Sequence, residues 1–386
     1  MAVRSLLARC SASAAKVARM SGRPGKTRVA VVFGGRSPEH AISCISAGSI
    51  LGAIDREAYD VLAVGIARDG RWLLLPDDPE ALQIHGRELP EVTAGQAVAL
   101  SNDPAQRGLR IFDGAAAGVS ELAQVDVVFP VLHGEQGEDG TIQGLFEIVG
   151  IPYVGAGVFA SAAAMDKEFT KKLLAAVGLP VGNYLVLRRG DSAELNADQR
   201  TRISLPAFVK PARAGSSIGI TKISDWSELP QAVATARAVD AKVLVEAGVP
   251  GREIECGILA EATGPGKALE IRASVPAEIR VLHGHDWYDF EAKYLDDACE
   301  FDIPADLPEE ITAQIQDYAV RAFRALDGRG LARVDFFVTE AGDVIINEVN
   351  TMPGFTPISM YPRMWGASGV PYPDLVDRLI RSALAD

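Results

Sequence analysis

Apolar and polar positions alternate along the chain from Arg28 onward in patterns that predict short strands and helices. The first apolar run, RVAVVF, predicts a strand, and it is followed by Gly34, Gly35 and a stretch with helical spacing near Ala41–Ile54. Three later runs predict further strands: VDVVFPVL at 125–132, LPAFVKP at 205–211 and KVLVEAGV at 242–249. Strands that lead into glycine-rich loops and helices are typical of an α/β fold with a mainly parallel sheet.

The C-terminal part of the chain combines a long helix with a pair of strands. The segment AQIQDYAVRAFRALD predicts an amphipathic helix, whose apolar stripe would consist of Ile311, Ile315, Tyr318, Ala322, Phe323 and Leu326. Apolar strands then occupy Gly330–Val349, and a final helix is predicted from about Asp374. The segment DWYDFEAKYLDD, which precedes the long helix, lacks periodicity and is predicted to be a functional loop.

The two strands near the C terminus carry polar side chains that a buried strand does not need. In ARVDFFVTEAGDVIINEVNTMPG, a two-residue loop at Ala341–Gly342 would place Asp335 opposite Glu348 and Arg333 opposite Asn350. Opposed carboxylates repel each other, so a positive group should lie between them. Because the donors are all oxygens, they favour a hard cation such as Mg²⁺ together with phosphate. A solvated hairpin with ordinary surface acids is the alternative.

Composition limits the classes of function. The chain has 386 residues, of which 48% are hydrophobic and 23% are charged, as expected for a globular protein of two or three domains. Its net charge of −13 argues against nucleic acid as the main partner, so any phosphate site must be local. The four cysteines (Cys10, Cys44, Cys256 and Cys299) are scattered, which argues against a disulfide scaffold or structural zinc and fits a reducing cytoplasm.

Two unusual segments require separate explanations. Residues 148–165 carry no charge, but Pro152 and three glycines interrupt them, so they predict a strand, a loop and a helix start rather than a membrane span. Residues 1–27 are basic, rich in Ala and Ser, and contain no acid, as in a transit peptide. A disordered tail, or a start placed too early with Met20 as the true initiator, fits equally. We expect this extension to lie outside the fold.

Four segments place polar side chains where a ligand could bind. In FVKPARAGSSIG a strand ends at a lysine, and the following Gly/Ser loop could cover phosphates; a flexible surface turn is the alternative. Glu39 and His40 follow the glycine pair of the first strand, beyond its carboxyl end, where open α/β sheets bind ligands. The remaining candidates are three lysines and a tyrosine. They are Lys210, which ends the strand in FVKPARAGSSIG, Lys167 in AMDKEF, and Lys293 with Tyr294 in FEAKY.

Two sequences that look like nucleotide-binding motifs are rejected. MSGRPGKT ends like a Walker A loop, but Met20 replaces the first glycine and the segment precedes a strand. GAGVFA matches GxGxxA, yet Ala175 stands where a dinucleotide site needs an acid. A dehydrogenase therefore remains a runner-up, and a nucleotide-binding protein without catalysis is a further alternative.

From about Arg28 to its end, the chain resembles the D-alanine–D-alanine ligases, which are ATP-grasp carboxylate–amine ligases. Eight segments carry the resemblance in the family's order: FGGRSPEHAIS, HGEQGEDGTIQG, AMDKEFTK, FVKPARAGSSIG, VEAGVPGREIEC, YDFEAKYLDD, ARVDFF and INEVNTMPGFTPISMYP. The resemblance implies a three-domain architecture with ATP held between the central and C-terminal domains. The expected parts are an N-terminal domain at 28–155, a central ATP-grasp domain at 156–245 and a C-terminal domain at 246–386, with a mobile loop at about 286–297.

The resemblance also implies a reaction. The carboxylate of one D-alanine would attack the γ-phosphate of ATP, and the amine of a second D-alanine would then attack the acyl phosphate to form D-alanyl-D-alanine, a peptidoglycan precursor. ATP and two Mg²⁺ or Mn²⁺ ions are the expected cofactors, and the expected form is a cytoplasmic homodimer without nucleic acid or membrane partners. The enzyme's main task would be to position the reactants and neutralise charge.

The family's functional residues can be assigned by position. Asp335, Glu348 (bridging) and Asn350 are expected to bind the metals. The expected nucleotide residues are Lys167, Lys210 and Lys293 at the phosphates, Ser216 and Ser217 in the loop, Glu246 and Val249 at adenine, Glu253 at ribose, and Asn347 beside Glu348. Glu39 is expected to pair with the ammonium group of the first D-alanine, and Ser216, Glu39 and Tyr294 form a hydrogen-bonded set in the family that ties the loop to the substrate. His133 is expected to contact the first D-alanine as well. Arg333 and the Gly354 backbone are expected to stabilise the oxyanion, and Ser359 and Met360 to lie at the carboxylate subsite of the second D-alanine. The family more often has Leu at the Met360 position.

Tyr294 bears on the choice of the second substrate. Ligases that join D-alanine to D-lactate commonly replace this tyrosine with His or Phe, so the pair Lys293-Tyr294 favours an amine nucleophile. A D-alanine–D-lactate or D-alanine–D-serine ligase remains the alternative.

Overall fold

The computed structural model describes residues 25–84, 86–112, 119–281 and 299–385. The expected extension at 1–27 lies almost entirely outside the described residues, and the expected mobile loop at 286–297 lies wholly outside them, with Lys293 and Tyr294. The described residues form three β-sheets with flanking helices, so the α/β class is confirmed. Within them, no helix has the length and apolar character that a membrane crossing requires.

The N-terminal sheet is mixed. Its strand order is β6-β5-β4-β3-β2-β1-β7, and the predicted parallel pairing holds only for β2 with β1 and β1 with β7. The other strands pair antiparallel because short connections join them, whereas parallel strands need a long crossover. The strands are β1 (Thr27–Gly34), β2 (Tyr59–Ile66), β3 (Trp72–Leu75), β4 (Gln96–Leu100), β5 (Gly108–Phe112), β6 (Val119–Gln124) and β7 (Val127–Val131).

Helices from both ends of the chain cover this sheet. The helices α1 (His40–Ala53) and α2 (Thr141–Val149) follow β1 and β7, as the glycine loops of the sequence predict. On one face of the sheet, Phe33 belongs to a buried cluster that also contains Leu51 of α1 and Leu379 of the C-terminal helix. On the other face, Val32 belongs to a second cluster with Phe146 of α2. The C-terminal helices therefore belong to the core of the N-terminal sheet.

The central sheet is a separate antiparallel layer with the order β10-β9-β11-β8. Two helices cover it, and Asn196 forms a capping box at the start of the first one. Its core includes Ile203, Val209, Val233 and Val245, all fully buried or nearly so. The elements are β8 (Tyr184–Leu187), α5 (Ala197–Ile203), β9 (Ala207–Pro211), β10 (Thr221–Ile223), a 3₁₀ helix (Trp226–Glu228), α6 (Leu229–Arg237) and β11 (Val243–Ala247).

The C-terminal sheet has the order β15-β14-β12-β16-β17, and β13 also pairs with β12. The predicted amphipathic helix is present at Glu309–Ala325 (α7), and the predicted stripe faces the sheet. Two earlier helices, α3 (Val158–Met165) and α4 (Lys167–Ala176), also pack on this core. The remaining elements are β12 (Arg252–Ala262), β13 (Leu269–Ala273), β14 (Ala277–Val281), β15 (Cys299–Asp302), β16 (Gly330–Val338), β17 (Val344–Asn350), α8 (Met360–Ala367) and α9 (Tyr372–Ala385).

The N-terminal region also contains a short 3₁₀ helix, Glu80–Leu82, between β3 and β4.

Candidate active site

A cleft of about 450 Å³ lies where the central sheet, helix α4 and the hairpin β16–β17 meet. Every predicted nucleotide residue within the described part of the chain lines it: Lys167, Lys210, Ser216, Ser217, Glu246, Val249, Glu253, Asn347 and Glu348. Arg333 and Asp335 line it as well. Residues that are far apart in the sequence and were selected for phosphate, adenine, ribose and metal thus surround a single space.

The hairpin reaches the predicted pairing by a different route. Asp335 pairs with Glu348 and Arg333 pairs with Asn350, as predicted. The predicted two-residue loop is wrong. Thr339 pairs with Asp343, so the turn contains one more residue than predicted, and Gly342 within the turn has φ +87°. A β-bulge then shifts the register between Asp335 and Phe336 and leaves one extra residue, Asn347, on β17. The two one-residue changes cancel at the polar end of the hairpin.

Three carboxylates form a row across adjacent strands, since Glu255 of β12 pairs with Asp335, which pairs with Glu348. Arg333 supplies the positive group that this arrangement requires. Its Nε lies 2.7 Å from Asp335 Oδ1 and 3.2 Å from Glu255 Oε1, and its Nη2 lies 2.8 Å from Asp335 Oδ2. Burial opposes the charge, but Asp335 and Glu255 hold the pKa of Arg333 well above its usual value. Lys167 Nζ lies 3.8 Å from Glu348 Oε2.

The donor set of this row fits a hard cation. Asp335, Glu348 and Asn350 offer only oxygens, and Asn350 Oδ1, which accepts the Met352 N–H at 3.0 Å, has a second lone pair. Mg²⁺ usually takes one or two carboxylates and completes its shell with phosphate and water. The described residues include no group of three or more His, Cys, Asp and Glu side chains that could hold a metal ion, so phosphate and water would have to supply further ligands.

Beside the carboxylate row, Glu246 is buried between two lysines. Its Oε2 lies 2.7 Å from Lys210 Nζ, and its Oε1 lies 3.5 Å from Lys171 Nζ. Burial by itself would raise the pKa of Glu246, but the two ammonium groups lower it. We did not predict Lys171 from the sequence, although its position one turn after Lys167 on the same helix was a usable signal.

Helix α4 is fixed at its N terminus by an ionic network. The Asp166 side chain caps the helix by accepting the N–H groups of Glu168 and Phe169 in the first turn, and it also pairs with Lys242 Nζ at 2.5 Å. Lys242 Nζ lies 3.0 Å from Glu168 Oε2. Burial would raise the pKa of Glu168, but hydrogen bonds from Lys172 and Lys242 lower it to about 2. Lys167 is the first residue of this helix, and its Nζ donates to the Ala214 carbonyl at 2.9 Å. The network therefore holds Lys167 against the Gly/Ser loop.

The Gly/Ser loop connects the cleft to the N-terminal sheet. Ser216 Oγ donates a hydrogen bond to the Glu39 carboxylate, so two members of the predicted three-residue set are in contact; Tyr294 lies outside the described residues. Ser216 and Ser217 have φ values of +48° and +58°. Left-handed conformations in residues other than glycine cost energy and are concentrated at functional sites.

The segment around Glu39 is tightly packed. Gly134 has φ +78°, and a Cβ there would lie 2.4 Å from Glu39 Oε2. The Gly134 N–H donates to Glu138 Oε2 at 2.6 Å, and burial together with Glu39 raises the pKa of Glu138 well above its usual value. His133 Nδ1 lies 3.1 Å from the Met352 carbonyl oxygen and Nε2 lies 3.2 Å from Ser46 Oγ. Burial lowers the pKa of His133 and so favours the neutral ring, which contacts groups of the chain itself.

Other predicted residues lie outside the lining of the cleft. His40 serves the framework, since its ring nitrogens contact the Gly35 carbonyl oxygen at 2.7 Å and the Val92 N–H at 3.0 Å. Ser359 precedes helix α8, and its Oγ lies 2.7 Å from Thr356 Oγ1. Met360 is 6% exposed and packs in a small apolar core, so its side chain is largely unavailable to a substrate. Gly354 lies next to Ser359, because a Cβ at Gly354 would be 3.0 Å from Ser359 Oγ.

Comparison with known families agrees with this geometry. The family model for the D-Ala D-Ala ligase N-terminus matches residues 28–156, and the model for the D-Ala D-Ala ligase C-terminus matches residues 173–381. The chain belongs to the D-alanine–D-alanine ligase family. Its relatives include the D-alanine–D-alanine ligase of Rhodococcus jostii (strain RHA1), 59% identical over 367 residues that cover 93% of this chain and 97% of that one. The ligase of Mycobacterium sp. (strain KMS) is 58% identical over 372 residues and covers 95% and 98%.

Solved structures of the same family share the fold. The D-alanine–D-alanine ligase of Coxiella burnetii is 37% identical with a TM-score of 0.75, and the match covers 93% of this chain and 94% of that one. The VanG D-Ala:D-Ser ligase of Enterococcus faecalis is 33% identical with a TM-score of 0.79, covering 93% and 99%. The fold of this chain is therefore the ATP-grasp fold of these ligases. The likeness to VanG also shows that the fold alone does not distinguish the acceptor substrates.

Proposed function

We propose that the protein is a D-alanine–D-alanine ligase, which joins two D-alanine molecules through a D-alanyl phosphate while ATP is converted to ADP and phosphate. The product would serve as a precursor of peptidoglycan. The observation that supports this proposal most directly is the single cleft that unites the described nucleotide residues with Arg333 and the Asp335–Glu348 pair. Family membership and relatives at 57–59% identity that bear this name support the same reaction.

ATP would lie in the cleft with its adenine toward the central sheet. Glu246 and Val249, at the end of β11 and just beyond it, would contact adenine, and Glu253 of β12 would bind the ribose hydroxyls. Lys167 and Lys210 would neutralise phosphate charge, since their side chains are only 11% and 12% exposed at the edge of the same space. The family's third lysine, Lys293, lies outside the described residues. The Gly/Ser loop would cover the phosphates with backbone N–H groups and the hydroxyls of its serines.

Two Mg²⁺ or Mn²⁺ ions, held by Asp335, Glu348 and Asn350, would neutralise the charge of the transferring phosphoryl group when bound with ATP. The contribution of the chain itself is a rigid row of oxygens fixed by strand pairing. Arg333 would serve as the oxyanion donor. Its guanidinium carries five N–H groups, and the contacts to Asp335 and Glu255 fix its orientation before the substrate arrives. The Gly354 backbone would be the second donor.

The first D-alanine would bind with its ammonium group at Glu39. The hydrogen bond from Ser216 orients the Glu39 carboxylate, so closing the loop over ATP and binding the amino acid would be coupled. Tyr294 would complete this set, and His133 would contact the first D-alanine as well. The second D-alanine would place its carboxylate at Ser359 and at the backbone of Met360, where the N terminus of α8 favours an anion.

The domain organisation is part of the proposal. The proposed parts are an N-terminal domain at 28–155, a central domain at 156–245 and a C-terminal domain at 246–386. Each contains most of one sheet, although β11 extends to Ala247 and helices α3 and α4 pack on the C-terminal core. The loop at 286–297 would close over the acyl phosphate and exclude water.

Oligomeric state and location are proposals too. A homodimer is supported by exposed apolar side chains on the neighbouring helices α2 and α3, where Ile148 is 73% and Phe159 is 56% exposed. A cytoplasmic location is supported by the free, buried thiols of Cys44 and Cys256 and by the requirement for ATP.

The test is phosphate release from the purified protein with ATP and Mg²⁺, with products identified by mass. The protein would receive D-alanine, L-alanine, D-alanine with D-lactate, or D-alanine with D-serine. We expect phosphate release with D-alanine alone and D-alanyl-D-alanine as the product. Release that requires D-lactate or D-serine, with the mixed product, would assign the protein to the alternative ligases. No release with any amino acid would refute the ligase proposal.

A further inference from the structure

Lys171 is a buried cation that the proposed mechanism does not use. Its side chain is 3% exposed, and it lies one helical turn after Lys167 on α4, facing the same cleft. Burial lowers its pKa, and Glu246 opposes that effect. A lysine is rarely buried to this degree without a specific partner, so its position needs an explanation.

The partner of Lys171 is also the partner of Lys210. Glu246 lies 2.7 Å from Lys210 Nζ on one side and 3.5 Å from Lys171 Nζ on the other. Lys210 is the more exposed of the two and is the one proposed to bind phosphate. When a nucleotide enters, its phosphates compete with Glu246 for Lys210. A buried carboxylate that loses its only counter-ion is strongly destabilised, so a second cation is needed if Glu246 is to stay ionised.

Lys171 is held in place from the opposite side of the cleft. Its Nζ donates to the backbone carbonyl of Asn347 at 3.3 Å. Asn347 is the extra residue of the β-bulge that sets the register of Glu348. The ammonium group is thus fixed between the adenine side of the cleft and the hairpin that carries the metal-binding oxygens.

We propose that Lys171 is a positioning residue for nucleotide binding, which keeps the Glu246 carboxylate charged and directed into the cleft while Lys210 contacts the phosphates. This inference rests on the proposed ATP site. It differs from a structural role, in which Lys171 would only join helix α4 to the two sheets. A structural role predicts a loss of stability without a selective loss of nucleotide affinity.

The test compares Lys171→Met with Lys222→Met in the full-length protein. Lys222 lies on β10 of the central sheet, where it is exposed and does not line the cleft. ADP affinity would be measured by calorimetric titration in the presence of Mg²⁺, and KM values for ATP and D-alanine by steady-state kinetics. For Lys171→Met we expect an increase of about tenfold or more in the Kd for ADP and in the KM for ATP. The KM for D-alanine should be unchanged, and Lys222→Met should match the wild type.

Glu246→Gln completes a double-mutant cycle. If Lys171 acts through Glu246, adding Lys171→Met to Glu246→Gln should change the Kd for ADP by less than about twofold. The double variant has no uncompensated carboxylate, so it keeps the test available if Lys171→Met alone does not fold. A further tenfold loss in the double variant would overturn the proposal.

The two proposals fail in different ways. If the wild-type protein does not bind ADP, the proposed ATP site is wrong. If the wild type binds ADP and Lys171→Met binds it equally well, only the role of Lys171 is wrong. A lower melting temperature with unchanged ADP affinity would assign Lys171 to a structural role and would also refute the inference.

Discussion

Arg333 is the buried positive group that faces two carboxylates, so its replacement should destabilise the protein more than the replacement of either acid. In Asp335→Asn, Arg333 keeps Glu255 as a partner at 3.2 Å. In Arg333→Met, Asp335 and Glu255 remain directly opposite each other on β16 and β12, with side chains that are 15% and 5% exposed. The first variant removes one of two partners, and the second leaves two carboxylates without their shared cation.

The difference can be estimated. Removing one partner of a buried ion pair costs about 3–5 kcal/mol, whereas losing one hydrogen-bonded contact to a charged group costs about 1.5–3 kcal/mol at most. For a domain of roughly 150–250 residues, each kcal/mol lowers the melting temperature by about 2–4 °C. Arg333→Met should therefore lower it by about 6–20 °C, and Asp335→Asn by clearly less. Both variants should lose turnover, because both residues line the proposed reaction site.

Calorimetric melting at neutral pH measures these shifts, with Arg321→Met as the control. Arg321 lies on α7 and pairs with Asp317, but its side chain is 38% exposed, so its replacement should change stability by no more than about 0.5 kcal/mol. Melting should be repeated with added Mg²⁺. A cation at Asp335 and Glu348 would offset the missing guanidinium, so Mg²⁺ should raise the melting temperature of Arg333→Met more than that of the wild type. Equal losses in Arg333→Met and Asp335→Asn would refute this reasoning.

Three further predictions concern the N-terminal substrate region and helix α4. Gly134→Ala should raise the KM for D-alanine by about tenfold or more, with little change in the KM for ATP. The new Cβ would lie 2.4 Å from the Glu39 carboxylate, and the left-handed backbone conformation would add a strain of about 1–2 kcal/mol. An unchanged KM for D-alanine would contradict the assignment of Glu39. Ser216→Ala removes the hydrogen bond to Glu39 and should raise the same KM, by about tenfold for a bond to a charged group, while thermal melting stays close to wild type. The pKa of Glu168 is about 2 in the folded protein against an ordinary 4.5, so its contribution to stability is present above pH 4.5 and is lost as pH falls toward 2. Urea titrations at about pH 5 and pH 3 should therefore show a smaller loss of stability for Glu168→Gln than for the wild type, and equal losses would exclude the effect.

Local patterns in the sequence were sufficient for the helices and for most strands. The period-two and helical spacings depend only on neighbouring residues, so they predicted α1, α7 and the hairpin strands close to their observed bounds. The same patterns indicated the candidate site, because Asp335, Glu348 and Lys210 are polar groups on or beside apolar strands. That mismatch between residue type and burial is a signal that a sequence carries without any knowledge of the fold.

Tertiary structure decided which groups meet. The sheet order was not predictable from strand patterns, because hairpins extend the N-terminal sheet with antiparallel strands that look locally like the parallel ones. The pairing of Asp335 with Glu348 depended on two insertions, one in the turn and one at Asn347, that cancel each other. Counting residues back from the turn cannot reveal that two such changes cancel. Either change by itself would shift the pairing of β16 with β17 by one residue and turn the side chains of one strand to the opposite face.

The charge partners illustrate the same division. The sequence indicated that something positive should lie near Asp335, but the choice of Arg333 and the participation of Glu255 required β12 to pair with β16. The burial of Lys171 against Glu246 likewise depends on helix α4 packing beneath the hairpin. Sequence alone therefore determined the local elements and the chemical types of the site, because both follow from short-range spacing. Only the tertiary structure decided their partners and protonation, because Coulomb interactions and desolvation depend on distances between segments that lie far apart in the chain.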